Sequence, residues 1–485
     1  MKPKKQLHTH IKKNPLVKKI QKWGYIKTIL LCMLLIITIN GIYNQIKPLP
    51  PGVNIKGEVW NISDDDIQFL ADYTFERNNE TVHEHEIFDT LFEMIENANK
   101  SILIDMFLFN NDYSHQPQHR EITDELTSLL VKKRNEEVDI VFITDHLNTF
   151  YGSYTPSHIK KLQENNITII FTNMNKMRDS NPLYTSPWRT FIRWIPLPIP
   201  IPHPLGNVEH SVRLDALLEV ATARANHRKV AVIDSTTALI TSANPHTASS
   251  AHSNVGIIFR SPAINEIIES EENVAKVSGT TINLNTNHIE TQGTIQMQLL
   301  TEKSIRDTII SDIDKTVEGD TVTVMAFYIS DRKVVKALKR ASKRGVTLVM
   351  ILDANKDAFA REKSGIPNRQ VAFELAKYAH IRWYHTTGEQ YHSKMIVIEK
   401  NETKIVHLGS SNFTKRNLGN YNLEMNVKII TPNNTQFYND VASYMHRIIT
   451  NEDGLFTTPL ETYYDNSLIK YWLYRFQEWS GLSTF

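Results

Sequence analysis

Residues 227–234 read His-Arg-Lys-Val-Ala-Val-Ile-Asp, and residues 392–399 read His-Ser-Lys-Met-Ile-Val-Ile-Glu. Each stretch has a histidine, a lysine two positions later and then a run of apolar residues, which predicts a buried strand. Side chains two apart on a strand point to the same face of the sheet. Each strand therefore presents an imidazole and an ammonium group side by side, and the chain does this twice.

A serine and an asparagine follow each of these strands. The first copy continues to Ser242 and Asn244, and the second continues to Gly409, Ser410 and Asn412. Such groups suit phosphodiester chemistry: one neutral imidazole attacks phosphorus, a second protonates the leaving oxygen, and cations and amide donors hold the developing charge. This reaction requires no metal ion, and the sequence has no obvious metal-binding cluster. We therefore expect neither a metal nor another cofactor.

The segments around the two motifs also match each other. Three pairs of strand-like segments occur in the same order, namely 101–109 with 321–329, 139–145 with 346–353, and 166–172 with 380–386. Helical patterns lie between them, and such alternation predicts an α/β fold. We expect two similar halves, 47–280 and 281–450, each a mixed, largely parallel sheet flanked by helices.

The spacing of the motifs resembles the signature of the phospholipase D superfamily. That signature is His-x-Lys, four residues, Asp, six residues, and Gly-Ser-x-Asn. The first copy keeps the spacing with Thr241 in the glycine position, whereas the second has Glu399 in place of Asp and three extra residues before Gly409. The resemblance covers about residues 60–450. It implies a bilobed α/β fold, two histidines that meet between the halves, and a covalent phosphohistidine intermediate resolved by water or an alcohol.

The resemblance also implies a role for each motif residue. His227 and His392 would be the nucleophile and the general acid, and the first-half histidine, His227, is the usual nucleophile. The residues that would bind or support the phosphate are Lys229, Lys394, Asn244, Asn412, Ser242 and Ser410. Asp234 and Glu399 complete the two catalytic motifs, and we interpret them as structural supports of their strands.

Members of this superfamily often carry a downstream acid that orients a histidine. Glu424, twelve residues after Asn412, fits that role, whereas the position twelve residues after Asn244 is Gly256. This difference predicts unequal histidines. Because a nearby carboxylate raises the pKa of an imidazole, we expect Glu424 to make His392 the general acid.

The amino-terminal region is basic and then apolar. Residues 1–27 carry nine lysines and no acid, and the run from Thr28 to Tyr43 is almost wholly apolar. We predict a basic cytoplasmic tail at 1–27 and a transmembrane signal anchor at 28–46, with the catalytic body outside the cytoplasm, because lysine-rich flanks stay inside. A cleaved signal peptide and a buried helix are the alternatives.

Two aromatic segments distinguish the chain further. An insertion at 173–225 has no counterpart in the second half, and its prolines over 187–202 predict an extended loop. The C-terminal segment 451–485 has aromatic residues at helical spacing and predicts a helix. Each segment either packs on the body or contacts lipid, as a lid or membrane-dipping loop in one case and an interfacial helix in the other.

Charge and composition bear on the substrate. With the nine lysines of residues 1–27 set aside, 45 basic residues stand against 53 acidic ones, and a protein that grips long nucleic acid usually has a basic surplus. We therefore predict a phospholipid phosphodiesterase or phosphatidyltransferase, similar to a phospholipase D or a cardiolipin synthase. It would act as a monomer on membrane phospholipid, with no nucleic acid partner.

Two other functions remain open from the sequence. A membrane-tethered extracytoplasmic nuclease of the same superfamily would need a basic groove beside the histidines. The residues that could form one are Arg213, Arg224, Arg228, Lys415 and Arg416. A membrane-tethered binding module without activity is the other alternative, although two intact motifs disfavour it.

Overall fold

The computed structural model describes residues 15–111, 119–204, 210–358, 361–483 and 485. Its helices are α1 Pro15–Ile46, α2 Ile87–Glu96, α3 Ile122–Asn135, α4 Ser157–Glu164, α5 Pro182–Pro187, α6 Leu214–Val220, α7 Ala263–Val277, α8 Glu302–Asp314, α9 Arg332–Lys343, α10 Asn368–Leu375, α11 Gln436–Thr450 and α12 Leu468–Ser480.

The strands come in two groups. Those before residue 290 are β1 Lys56–Ile62, β2 Ile67–Ala71, β3 Tyr73–Arg77, β4 Glu80–Glu84, β5 Ser101–Met106, β6 Asp139–Thr144, β7 Thr168–Phe171, β8 Pro200–Pro202, β9 Ser211–Arg213, β10 Lys229–Ile233, β11 Thr237–Thr241 and β12 Val255–Phe259. Those after it are β13 Ile295–Thr301, β14 Thr321–Ala326, β15 Thr347–Leu352, β16 Asp357–Ala358, β17 Arg361–Glu362, β18 His380–Tyr384, β19 Lys394–Glu399, β20 Thr403–Gly409, β21 Met425–Pro432 and β22 Thr457–Pro459.

Two large sheets organise the body, and they share one strand order. The first sheet runs β2-β12-β11-β10-β5-β6-β7, and the second runs β1-β13-β21-β20-β19-β14-β15-β18-β22. In each sheet the strand that begins at the motif lysine, β10 or β19, lies at the centre. The predicted α/β fold class with mixed sheets and flanking helices is confirmed.

The parallel share of each sheet is smaller than predicted. Only β5–β6–β7 and β14–β15–β18 are parallel among the neighbours in the two large sheets of the described chain, and the other pairs are antiparallel. The reason lies in short connections. Only residues 234–236 join β10 to β11, and strands joined by so short a turn must run antiparallel.

The two sheets pack face to face, with helices on their outer faces. Side chains of β10 and β19 alternate between two environments. Val230 and Val232 of β10 meet Met395 and Val397 of β19 in a shared central core. The intervening Ala231 packs against the outer helices of the first half. Each sheet is therefore buried on both faces, which fits the continuous apolar runs of the motif strands.

Two short strands cross the boundaries expected between the halves. β1 pairs antiparallel with β13, so residues 56–62 complete the second sheet although they precede the first. β22 lies beyond residue 450 and pairs with β18 at the other edge of the second sheet. The second sheet is thus completed at one edge by a strand from the amino-terminal part of the chain and at the other edge by a strand from the carboxyl-terminal part.

The amino-terminal helix α1 begins at Pro15, earlier than the predicted start at residue 28. Residues 22–46 of this helix are long and apolar enough to cross a membrane. The helix ends against the insertion: the backbone N–H of Asp179 donates to the carbonyl of Asn44 at 3.1 Å. The Lys47 ammonium donates to the carbonyl of Asn175 at 2.9 Å.

The insertion is partly helical, which the sequence did not predict. Helix α5 runs to Pro187, and a single wide helical turn follows over Trp188–Ile192. The prediction of a fully extended loop over 187–202 was wrong because no proline lies between Pro187 and Pro196. Extended chain begins only where prolines alternate, and there β8 pairs with β9.

Candidate active site

The two halves exchange backbone hydrogen bonds beside the motif histidines. The N–H of His227 donates to the carbonyl of Leu423 in the second half at 2.9 Å. The N–H of His392 donates to the carbonyl of Ser253 in the first half, also at 2.9 Å. These bonds hold the start of each motif strand against a segment of the opposite half.

The residue after each of these carbonyls holds a histidine ring. Glu424 lies 3.0 Å from Nδ1 of His227, and the Oδ1 atom of Asn254 lies 3.1 Å from Nδ1 of His392. Because both partners are acceptors, Nδ1 is the protonated nitrogen of each ring. In the described part of the chain no hydrogen bond engages either Nε2 atom, which leaves two lone pairs available for chemistry.

The motif serines hold these acceptors in place. Ser410 donates a short hydrogen bond to Glu424, which also accepts from the side chain of Asn417. Ser242 donates to Asn254 at 3.2 Å. Each serine therefore supports the acceptor of the histidine in the other half.

Both motif lysines are fully buried beside the histidines. The ammonium of Lys229 donates to the carbonyl of His227 at 2.9 Å, and that of Lys394 donates to the carbonyl of His392 at 2.7 Å. Burial lowers the pKa of Lys229 to about 7 and holds that of Lys394 well below its usual range. An anion placed between them would stabilise their charged forms.

Burial favours the neutral form of both histidines. Burial lowers the pKa of His227 to about 4, although the carboxylate of Glu424 opposes that shift. Burial and the charge of Lys394 hold the pKa of His392 well below its usual range, and no carboxylate opposes them there. The two rings are therefore electrostatically unequal, as expected, but their partners are the reverse of those predicted.

A cavity of about 990 Å³ opens onto both rings. Asn244 and Asn412 line it, as do Phe107 and Phe327, whose rings lie 4.9 Å and 5.1 Å from those of His227 and His392. The buried Oδ1 atom of Asn412 has no hydrogen-bond partner in the described residues. The cavity therefore offers two imidazoles and two amides to one ligand, and the two buried lysines lie behind the histidines rather than in its wall.

Comparison with known proteins agrees with this geometry. Residues 309–449 match the family described as cardiolipin synthase, PLD-like domain. The chain superposes on phosphatidylserine synthase from Haemophilus influenzae Rd KW20 with a TM-score of 0.57 at 11% identity, over 87% of this chain and 94% of that one. Residues 309–449, in the second half, thus match a phospholipase D-like domain, and the chain as a whole shares the fold of that phosphatidylserine synthase.

Two smaller solved structures match part of the chain. Nuc from Salmonella typhimurium, a phospholipase D family member, aligns at 23% identity and a TM-score of 0.26, over 32% of this chain and 93% of that one. NucT from Helicobacter pylori aligns at 18% identity with the same TM-score, over 33% of this chain and 99% of that one. No curated protein matches the sequence.

The predicted partner of Glu424 was wrong. Glu424 holds His227, and the acceptor for His392 is Asn254, which the sequence analysis did not identify. Strand pairing explains the miss. Gly256 lies opposite Thr241, so it corresponds to Asn426, opposite Gly409, rather than to Glu424.

The connection before the acceptor is two residues shorter in the first half. Asn254 comes ten positions after Asn244, whereas Glu424 comes twelve positions after Asn412. A count that allowed for unequal loops would have found an asparagine where the second half has its acid.

The structure does not bring Asp234 and Glu399 to the cavity. The Asp234 carboxylate accepts the backbone N–H groups of Asn99, Lys100 and Ser101, at the far end of β10. Glu399 accepts from the Tyr438 hydroxyl at 2.6 Å, at the far end of β19. Both acids are placed as supports of their strands, so their grouping with the catalytic residues is corrected.

Two further carboxylates position the motifs. Asp145, after β6, accepts the N–H of Asn226, and Asp353, after β15, accepts the N–H of Tyr391, each at 2.8 Å. These bonds hold the residue before each histidine. Each aspartate is the last residue of one of the matched strand-like segments, 139–145 and 346–353. This equivalent position in the two halves could have identified both from the sequence.

The cations that could have formed a basic groove already have partners. Arg228 is fully buried between Glu271 and Glu302, at 2.9 Å and 3.0 Å. The other four also donate hydrogen bonds. Arg213 donates to the carboxylate of Asp215, Arg224 to the carbonyl of Met174, Lys415 to the carbonyl of Trp479, and Arg416 to the carbonyl of Gly481. Within the described ranges no group of three or more His, Cys, Asp and Glu side chains could hold a metal ion.

The neutral acceptor of His392 gives a testable prediction. In Asn254→Asp, a carboxylate replaces the amide beside Nδ1, so the pKa of His392 should rise by about one unit or more. A histidine-selective NMR titration of the full chain in detergent measures it. The matched variant Glu424→Gln should lower the pKa of His227. An unchanged pKa of His392 in Asn254→Asp would mean that its partner does not set its charge.

Proposed function

We propose that this protein is a phosphodiesterase or phosphatidyltransferase that acts on phospholipids through a phosphohistidine intermediate. The observation that carries the proposal is the pair of histidines in one cavity, each with Nδ1 held from the opposite half and Nε2 available. A single histidine at the bottom of a cavity would be compatible with a purely structural role. Two histidines held in the same way, each with its own buried lysine, fit a double displacement.

The first step forms a bond between Nε2 of His227 and phosphorus. The bond from phosphorus to the leaving oxygen breaks, and that oxygen takes the Nε2 proton of His392, which enters this step as an imidazolium once the phosphate anion is bound. In the second step, water or an alcohol attacks phosphorus and gives its proton to His392, and the bond from phosphorus to His227 breaks. Hydrolysis and transfer differ only in the acceptor that enters for the second step.

The charges of the site support this assignment. Glu424 stabilises positive charge on His227, and charge develops there when its Nε2 binds phosphorus. His392 lacks a carboxylate, so its imidazolium is the more acidic one and gives up its proton more readily. A bound phosphate anion offsets the charges of Lys229 and Lys394, which otherwise disfavour that imidazolium.

Several observations favour a lipid as the substrate. Apolar side chains of Leu108, Leu147 and Phe485 share the cavity with the polar groups. The five cations considered for a nucleic acid groove are engaged in other contacts. The matching family description names cardiolipin synthase, an enzyme of phospholipid metabolism.

We further propose that α1 spans a membrane once and leaves the body outside the cytoplasm, in keeping with the nine lysines of residues 1–27, before and within its first turns. In a Cys32→Ala background, an impermeant maleimide added to intact cells should label Val317→Cys and leave Lys4→Cys unlabelled. The reverse pattern would place the body inside the cytoplasm.

The substrate is tested with the full chain in detergent micelles, using mixed phospholipids in one assay and single- and double-stranded DNA in another. We expect headgroup release or a new phospholipid, and a loss of about 10²–10⁴-fold in His227→Ala and in His392→Ala. His446→Ala, in which an exposed histidine is removed, is the control and should keep full activity.

DNA cleavage with intact lipid would overturn the substrate while leaving the chemistry in place. Mixing His227→Ala with His392→Ala should restore nothing, because we propose that one chain carries one complete site and works as a monomer. Recovered activity would mean that two chains share a site.

The roles of the histidines are tested with a p-nitrophenyl phosphodiester, whose leaving group needs no general acid. His392→Ala should release about one equivalent of p-nitrophenolate in a burst and then stall, because His227 is phosphorylated but no base activates water. His227→Ala should give no burst. A burst in His227→Ala alone would reverse the assignment.

A further inference from the structure

The insertion exposes large apolar side chains. Helix α5, the wide turn after it and the extended segment that follows leave five of them in contact with solvent: Leu183, Phe191, Trp194, Ile195 and Ile199. Trp194 is 70% exposed although its indole N–H donates to the carbonyl of Arg189. These residues are close in sequence and form one patch rather than scattered exceptions, and an exposed patch of this kind marks a contact surface.

This patch lies beside the apolar part of α1. Trp194 and Arg193 line a recess together with Ile36, Ile39 and Tyr43 of the helix. The contact is close at Gly41, where a Cβ atom would collide with the Ser186 hydroxyl. The insertion therefore reaches along the helix into the stretch that is apolar enough to cross a membrane.

Position along α1 sets the depth of the patch. Ile36 lies ten residues before the end of the span at Ile46, which corresponds to about 15 Å of helix at 1.5 Å per residue. If α1 crosses a bilayer, the recess lined by Trp194 and Arg193 extends from the interface, near Tyr43, into the outer leaflet, near Ile36. Tryptophan and arginine are residues that suit this zone.

Helix α12 has apolar or aromatic residues on two opposite sides. Its inner side packs on the body, where the buried Tyr474 hydroxyl donates to the carbonyl of Ser330 at 3.1 Å. Its outer side leaves Ile469, Trp472, Leu473, Phe476 and Trp479 exposed, at the spacing of one helical stripe. A surface helix of a soluble body normally has polar residues on that side.

Helix α12 ends at the insertion. Gly481, in a left-handed conformation at the end of the helix, lies so close to the Ser180 carbonyl that a Cβ atom would collide with it. Ser180 and Asn181 directly precede α5. The end of α12 therefore lies next to the start of the helical part of the insertion. We name the exposed stripe of α12 and the patch of the insertion together the apolar face.

The cavity lies next to the apolar face. Val220 and Arg224 of the insertion form one part of its wall, and Phe485, after α12, forms another. Arg416, which also lines the cavity, donates to the carbonyl of Gly481 at 3.2 Å. The segments that expose apolar side chains to solvent are thus the segments that border the entrance to the histidines.

We propose that the apolar face lies on the bilayer that α1 crosses, so that the cavity opens toward the lipid headgroups. We favour a membrane over a protein partner because the patch on the insertion lies directly beside the apolar span of α1, so the two surfaces would contact the same bilayer. The direction of the cavity rests on the lipid activity proposed above, whereas contact with the bilayer rests on the proposed span of α1 and on the geometry of the face beside it.

The test uses the full chain with Cys32→Ala, reconstituted in vesicles of phosphatidylcholine and phosphatidylglycerol. Single cysteines at Ile195 and Ile469 carry a nitrobenzoxadiazole dye. Val317→Cys is the control, because Val317 is exposed but precedes β14 at the end of the second sheet away from the histidines. Lipids with a nitroxide on the acyl chain should reduce the emission at 195 and 469 at least twofold and leave that at 317 unchanged.

Equal quenching at all three positions would overturn the proposal. A dye at 469 that is shielded from water but not quenched would overturn it as well, because a protein surface, such as a second copy of the chain, would then cover α12. The measurement involves no turnover. A failure of lipid hydrolysis and a failure of membrane contact are therefore separate results.

Discussion

The site depends on an exchange of hydrogen bonds between the halves. The half that supplies each histidine strand does not supply the acceptor for its ring, so Glu424 comes to His227 and Asn254 comes to His392. The backbone bonds that precede these acceptors fix their register, and a shift of one residue would turn each side chain away. Neither half alone can orient its own imidazole. The shared core between the sheets is therefore also what assembles the chemistry.

Buried charge reinforces that exchange. Arg228, next to the first histidine in the chain, pairs with Glu271 and Glu302 where no solvent reaches it. Glu302 in turn accepts the backbone N–H of Glu424 at 3.1 Å. Removal of one partner from a buried ion pair typically costs about 3–5 kcal/mol. The position of the acid that faces His227 is thus tied to a network that the fold cannot easily give up.

Short-range patterns predicted most of this arrangement. The motif strands, the two matching halves and the groups that meet in the cavity followed from period and spacing, because a strand places alternate residues on one face. The partners of the histidines did not follow, since they come from loops whose lengths differ between the halves. Asn254 was missed for that reason, and Glu424 was given to the wrong ring. Antiparallel pairing dominates because short turns, such as the one that begins at Asp234, join neighbouring strands directly. The alternation of helices and strands elsewhere in the chain predicted parallel pairing instead.

Helix α1 does not end in a free linker. Its last turns pack on the insertion, the carbonyl of Asn44 accepts from Asp179, and the same insertion forms part of the cavity wall through Arg224. If α1 spans a membrane, as we propose, a body joined in this way would keep a fixed height and tilt above that membrane and would not swing toward another one. With the proposed lipid substrate, such an enzyme would work in cis: its substrate would arrive by lateral diffusion in two dimensions, and its rate would follow the surface density of that lipid rather than any concentration in the surrounding water.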